Sequence, residues 1–167
     1  MKAPTTGALV ALTLLAACVW TGCSKDRPAE PQGSQGAAEP KAAAPEGKPQ
    51  ARYDEATFAL ELTAAGKYKA GEAGAVTVVL TAKEPFKCND KYPYKLKLDE
   101  NEGVKLERAV LTKDAIALEK QKAVMTVPIT PSAPGARRVS GEFSFSVCSD
   151  DKCLIEKRKL ALDVSVE

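Results

Sequence analysis

At 167 residues the chain has room for one domain and its appendages, and its 24 lysines and arginines stand against 22 aspartates and glutamates. That balance, +2 overall, and the lack of a basic stripe with interleaved aromatics argue against a nucleic-acid partner. There is no histidine, which excludes Ser-His-Asp and Cys-His catalysis and removes the commonest zinc ligand.

The N-terminus reads as an export signal. Lys2 is a minimal positive region, and "GALVALTLLAAC", Gly7 to Cys18, is an apolar run too short to span a bilayer. It ends in Leu15-Ala16-Ala17-Cys18, which resembles the bacterial lipobox, where cleavage just before the cysteine leaves that residue to carry lipid. Residues 1–17 are then a lipoprotein signal peptide and Cys18 is the lipidated residue. The alternative is 1–22 with Cys23, whose polar "SKD" suits a mature start while Trp20 fits poorly three residues before the cut. On either reading the chain is exported and held by a lipid anchor on the inner or outer membrane, in a bacterial periplasm where disulfides persist.

Residues 18–50 follow as a tether. "SKDRPAEPQGSQGAAEPKAAAPEGKPQ" is rich in Pro, Ala, Gly and Glu and has no apolar period, the composition of a disordered linker. As a flexible coil it spans roughly 30 Å, enough to hold a small domain off a membrane surface.

From residue 51 to 167 the apolar period is two. "TFALELT" alternates Phe58, Leu60 and Leu62; "AVTVVLTA" aligns Val76, Val78 and Leu80; "YPYKLKL" alternates Tyr92, Tyr94, Leu96 and Leu98. "VKLERAVL" and "AVMTVPIT" read as further strands, and Pro128 marks the second as an edge strand or a bulge. "AAGKYKAGEAG", "DENEG" and "PSAPG" are turns, while "LTKDAIALEKQKA" is ambiguous and has room for a short helical turn. Short strands at this spacing predict an all-β fold, an immunoglobulin-like antiparallel sandwich of seven to nine strands.

The last two strands carry the cysteines of interest. Phe143, Phe145 and Val147 share one face, Ser144, Ser146 and Cys148 the other, and "SDDK" separates Cys148 from Cys153 as a four-residue hairpin loop. The charged "EKRK" after Ile155 raises the expectation of a bulge. Residues flanking such a loop face each other within disulfide range, so Cys148 and Cys153 can bond across the hairpin. Spacing alone leaves two functions open. A passive link over so short a loop contributes only about 2 kcal/mol, against nearly 5 for a 100-residue loop. A working redox pair needs the exposure that a hairpin tip supplies. A zinc site would need Cys88 and an outside ligand besides. Asp150 and Asp151 disfavour thiolates, which suits a disulfide attacked by a partner; they also read simply as turn-formers. Cys88 reads as a small buried apolar residue, with pairing to Cys23 open if Cys18 carries the lipid.

"VCSDDKCLIEKRKLALDVSV", with "MTVPITPSAPGARRVSGEFSFS" before it and "EPFKCNDKYPYKLKL" further upstream, resembles the N-terminal periplasmic domain of the thiol:disulfide interchange protein DsbD. The resemblance covers most of residues 51–167. It implies an immunoglobulin-like domain that takes electrons from a membrane or thioredoxin-like reductase and passes them to oxidised periplasmic proteins, without a cofactor or metal. Carried over by position, Cys148 and Cys153 are the redox pair, with Cys153 the sulfur that joins a partner. The chain departs from the family in two places. Leu154-Ile155-Glu156 stands where the family has a proline soon after the second cysteine, and the region around Thr112 to Leu118 lacks the family's shielding aromatic. Neither a transmembrane reductase nor a thioredoxin-like domain is read in these residues, so a separate protein is expected to donate the electrons. The alternative function is a non-catalytic lipoprotein binding module whose hairpin disulfide is structural.

Overall fold

Alternating apolar residues build the longer strands of the fold. A computed structural model describes residues 47–167, so Cys18, Cys23 and most of the tether lie outside the described residues. In chain order the strands are β1 (Arg52–Asp54), β2 (Phe58–Ala64), β3 (Gly74–Ala82), β4 (Lys87–Cys88), β5 (Lys95–Leu98) and β6 (Val104–Leu106). Then come β7 (Val110–Thr112), β8 (Ile116–Leu118), β9 (Lys122–Pro131), β10 (Gly135–Cys148) and β11 (Cys153–Val166), with one 3-10 turn, Lys113–Ala115, ahead of β8.

These strands form two antiparallel sheets packed face to face. The first is six-stranded, in the order β1-β2-β3-β9-β6, with β8 also paired to β9. The second is five-stranded, in the order β11-β10-β5-β7, with β4 also paired to β10. The fold is therefore an all-β sandwich. One sheet buries Phe58, Leu60, Val76, Val78, Leu80, Met125 and Val127, and the other Leu96, Val139, Phe143, Phe145 and Val147. The inner faces meet at Phe58 and Phe145, edge to face with centroids 4.9 Å apart. Burying one such ring fully contributes roughly 1.5–3 kcal/mol.

The structure corrects four readings of the sequence. Among the described residues eleven strands form rather than seven to nine, because β1, β4, β6, β7 and β8 are two or three residues long and too short to show an alternation. "VKLERAVL" is two strands: β6 pairs with β9, whereas β7 pairs with β5 in the other sheet, so the chain crosses the sandwich between them. β9 is neither edge nor bulged. Ser132 N–H donates to the Gly103 carbonyl on the β6 side, so by alternation Pro128 turns its nitrogen the same way. It falls between β8, which ends its pairing at Met125, and β6, which begins at Ile129. No donor is needed there.

The fourth concerns "EKRK". β10 and β11 pair one to one without a break, from Gly135 opposite Val166 to Cys148 opposite Cys153, so there is no bulge. The even positions of β11 keep facing inward, and Glu156 and Arg158 take the places that Leu160 and Val164 fill further along. They form an ion pair at 2.7 Å, each side chain 17% exposed. The Arg158 guanidinium lies over the Phe58 and Tyr53 rings at 5.5 and 5.9 Å. Partnering by a carboxylate and two aromatic faces lets the charge sit half-buried.

Candidate functional site

Cys148 and Cys153 are bonded across the mouth of the hairpin, with their Cα atoms 4.0 Å apart. The ladder explains the close approach. Ser149 N–H donates to the Lys152 carbonyl at 2.8 Å, which makes 149 and 152 the hydrogen-bonded pair. Cys148 and Cys153 are then the narrow, non-hydrogen-bonded pair, whose side chains come closest. The loop stays tight because the Ser149 hydroxyl accepts from the Asp151 and Lys152 amides, both at 3.3 Å.

The bond lies on the outer face of the five-stranded sheet, since Phe143, Phe145 and Val147 take the inner positions of β10. The two cysteines are unequally exposed: Cys153 is exposed and Cys148 half-buried. The Ser146 hydroxyl lies 3.8 Å from the Cys148 sulfur on the same face, within range of a weak O–H to sulfur hydrogen bond. Ser146 itself is fully buried.

One neighbour was out of reach of sequence reasoning. β4 places Lys87 directly across the ladder from Cys148, on the side away from Cys153. The Lys87 ammonium pairs with the Asp150 carboxylate at 3.1 Å, so one of the acidic loop residues has a cation beside it. Down the same face, Ser144 stands between Lys95 and Lys157, and Glu142 between Lys97 and Lys159. The face leading to the disulfide is therefore basic. Period-two reading finds Ser146 but cannot find Lys87, whose place depends on a two-residue strand pairing 60 positions later.

The segment expected over the disulfide sits elsewhere. Thr112 pairs with Lys95 on the far side of β5 from β10, and the 3-10 turn follows it. Residues 89–94 reach the disulfide end of β10 instead. The Asn89 N–H and the Tyr94 O–H both donate to the Ser146 carbonyl, at 3.1 and 3.3 Å. Tyr92 is half-buried and meets Tyr94 edge-on at 6.1 Å. The Lys113 ammonium donates to the Asp90 carbonyl, which ties the turn to this segment. Two tyrosines of the β4–β5 connection, Tyr92 and Tyr94, therefore lie toward the disulfide end of β10.

Cys88 is a free, buried thiol on β4. It pairs in register with Val147, so it faces the core while Cys148 faces out. Burial pushes its thiol up, and it stays protonated and unreactive. Burial likewise pushes up the Tyr92 and Tyr94 hydroxyls, and that of Tyr94 donates to the Ser146 carbonyl. Among the described residues, no group of three or more His, Cys, Asp or Glu is placed to hold a metal ion. What the arrangement offers chemically is one disulfide, with an exposed cysteine, a half-buried cysteine beside a hydroxyl, and a lysine in the same row. Comparison with known proteins, by family models and by a search of curated sequences, finds no match to this chain.

Proposed function

We propose that the protein is a membrane-tethered thiol–disulfide exchange domain of the bacterial periplasm, built on an immunoglobulin-like sandwich like the N-terminal domain of DsbD. Cys148 and Cys153 carry two electrons between a separate membrane or thioredoxin-like reductase and oxidised periplasmic proteins. The observation that supports this best is the placement of the disulfide: at a hairpin tip, outside the core, with Cys153 an exposed residue. A bond meant to brace a sandwich would join its two sheets. This one joins two strands already paired over their whole length.

The chemistry follows from the unequal cysteines. A partner thiolate attacks the Cys153 sulfur, the Cys148–Cys153 bond breaks, and Cys148 leaves as a thiolate with the bonding pair. The Ser146 hydroxyl and the Lys87 ammonium lie on the side where that charge develops. A second thiol of the same partner then attacks the mixed disulfide, Cys153 departs, and both cysteines take up protons from water. The partner ends oxidised and this domain reduced by two electrons. Delivery to an oxidised protein is the same sequence reversed, with Cys153 attacking first.

The test is the reduction potential of the bond together with trapping. A potential in the range of exchange proteins is expected, and a Cys148→Ala variant whose Cys153 is first capped as its mixed disulfide with thionitrobenzoate should hand that bond to a reduced thioredoxin keeping only its attacking cysteine, releasing thionitrobenzoate and leaving a trapped Cys153–thioredoxin disulfide. A potential far below about −300 mV, with no trapped species, would overturn this reading and leave the alternative, a binding module with a structural disulfide.

A further inference from the structure

The outer edge of β11 is closed in two places and open in one. Its odd-numbered residues turn their N–H and C=O groups away from β10. Gln50 N–H donates to the Lys159 carbonyl at 3.2 Å, and Ala161 N–H donates to the Gln50 carbonyl at 3.0 Å. At the far end Ala70 N–H donates to the Glu167 carbonyl and Glu167 N–H to the Tyr68 carbonyl, at 3.1 and 2.8 Å. Toward the tip the odd residues are Cys153, Ile155 and Lys157, and among the described residues none has a backbone partner on that edge. The Lys157 carbonyl accepts from the Arg158 guanidinium at 3.0 Å, and the remaining donors and acceptors of the row are a template for another strand. This row begins at the exposed Cys153.

We propose that residues 153–157 of β11 are a docking strip for an extended, cysteine-bearing segment of the exchange partner, which adds as one more strand of the five-stranded sheet. The inference rests on the exchange reading for the partner's cysteine, though the strip itself is defined by backbone geometry. Strand addition takes its affinity from main-chain hydrogen bonds and its specificity from alternate side chains. The outer-face side chains along the strip are Cys153, Ile155 and Lys157. A segment lying beside them matches when it carries a cysteine, an apolar residue two positions away and an acidic residue two further on. The adjacent basic rows of Lys95 and Lys157, and of Lys97 and Lys159, extend the preference for acidic partners. Docking holds the partner's thiolate next to the Cys153 sulfur, and the bond made and the bond broken are those already described.

The probe is the peptide Thr-Cys-Thr-Val-Thr-Glu-Thr, in this and the reversed order, with twins N-methylated at alternate positions on either side. Each is also made with serine for cysteine. In the oxidised full chain, the serine peptide in at least one order should slow hydrogen exchange of the Cys153, Ile155 and Lys157 amides, and the twin blocked on the paired side should not. The cysteine form should reduce the disulfide about tenfold faster than its blocked twin, because docking makes the attack effectively intramolecular. Ile155→Pro should abolish both differences. The 155 nitrogen points outward, so proline there removes an edge donor and no bond to β10. Lys157→Pro repeats the test if that variant unfolds, and reduction by dithiothreitol should be unchanged in both.

Equal behaviour of peptide and twins, or no protection at millimolar peptide, would overturn the proposal. So would amides already protected in the free chain, which would mean that residues before Gly47 cover the edge. If the serine peptide protects the amides while no thiol opens the bond, the strip stands as a peptide-binding edge and the exchange reading fails.

Discussion

The two ends of the β10–β11 hairpin share one ladder and are finished in opposite ways. At the open end the neighbouring chain closes over it: Gln50 and the segment from Tyr68 to Ala70 bond to the edge of β11. Tyr68 is 4% exposed, and its hydroxyl accepts from the Ala65 amide at 3.1 Å and donates to the Ala75 carbonyl at 2.7 Å. At the tip none of the described residues makes a backbone bond to the outer edge of β11 from Cys153 to Lys157, the inner face carries Glu156 and Arg158 in place of aliphatic residues, and Cys153 is exposed. The lesson is a division of labour along one element. Stability is concentrated where the strands are wrapped, and the proposed exchange chemistry sits where they protrude.

The comparison is broken most directly at the wrapped end. Tyr68→Ala removes a buried ring and both partners of its hydroxyl, and it loosens the seal on β11. A loss of about 3–5 kcal/mol is expected from urea denaturation. A loss under 1 kcal/mol would show that this end is no anchor.

The tip should respond less. Replacing both cysteines, as Cys148→Ser with Cys153→Ser, opens a loop of sequence separation 5 and leaves the fourteen-residue ladder in place. The expected cost is about 2 kcal/mol at most, with the sandwich still folded by circular dichroism. If the domain failed to fold without the bond, the disulfide would be a brace and the contrast between the two ends would collapse.

Much of this contrast was legible in the sequence, and the remainder was not for physical reasons. Period-two runs such as Phe58-Leu60-Leu62 and Phe143-Phe145-Val147 specify the sheets, because a strand buried on one face must alternate. The tip disulfide follows from "CSDDKC" because a four-residue loop brings its flanks together. Glu156 and Arg158 misled, since the sequence shows two charges and not the Phe58 and Tyr53 rings beneath Arg158. Pro128 misled for a similar reason: a proline marks a missing donor, and only the pairing of β8 and β6 shows that the gap lies inside a sheet. Lys87 and the open edge depend on which strands are neighbours, and periodicity carries no such information.

The smallest expected effect on stability lies within the tip itself. Lys87 has a 40% exposed side chain and pairs with Asp150, whose side chain is 92% exposed, so Lys87→Gln should alter stability by less than about 0.5 kcal/mol. Its consequence should appear in the chemistry instead. Lys87 stands across the ladder from Cys148, which in the proposed exchange is the sulfur that leaves as a thiolate when a partner attacks Cys153. Losing that cation should slow reduction by dithiothreitol about two- to threefold, the size of one partly screened charge interaction. The difference should shrink as salt is raised, because screening weakens the wild-type advantage first. Asp150→Asn is the control, since it frees Lys87 from its carboxylate and should speed the same reaction. Equal rates for all three proteins across the salt range would show that the basic row leading to the tip bears on docking alone and not on the bond.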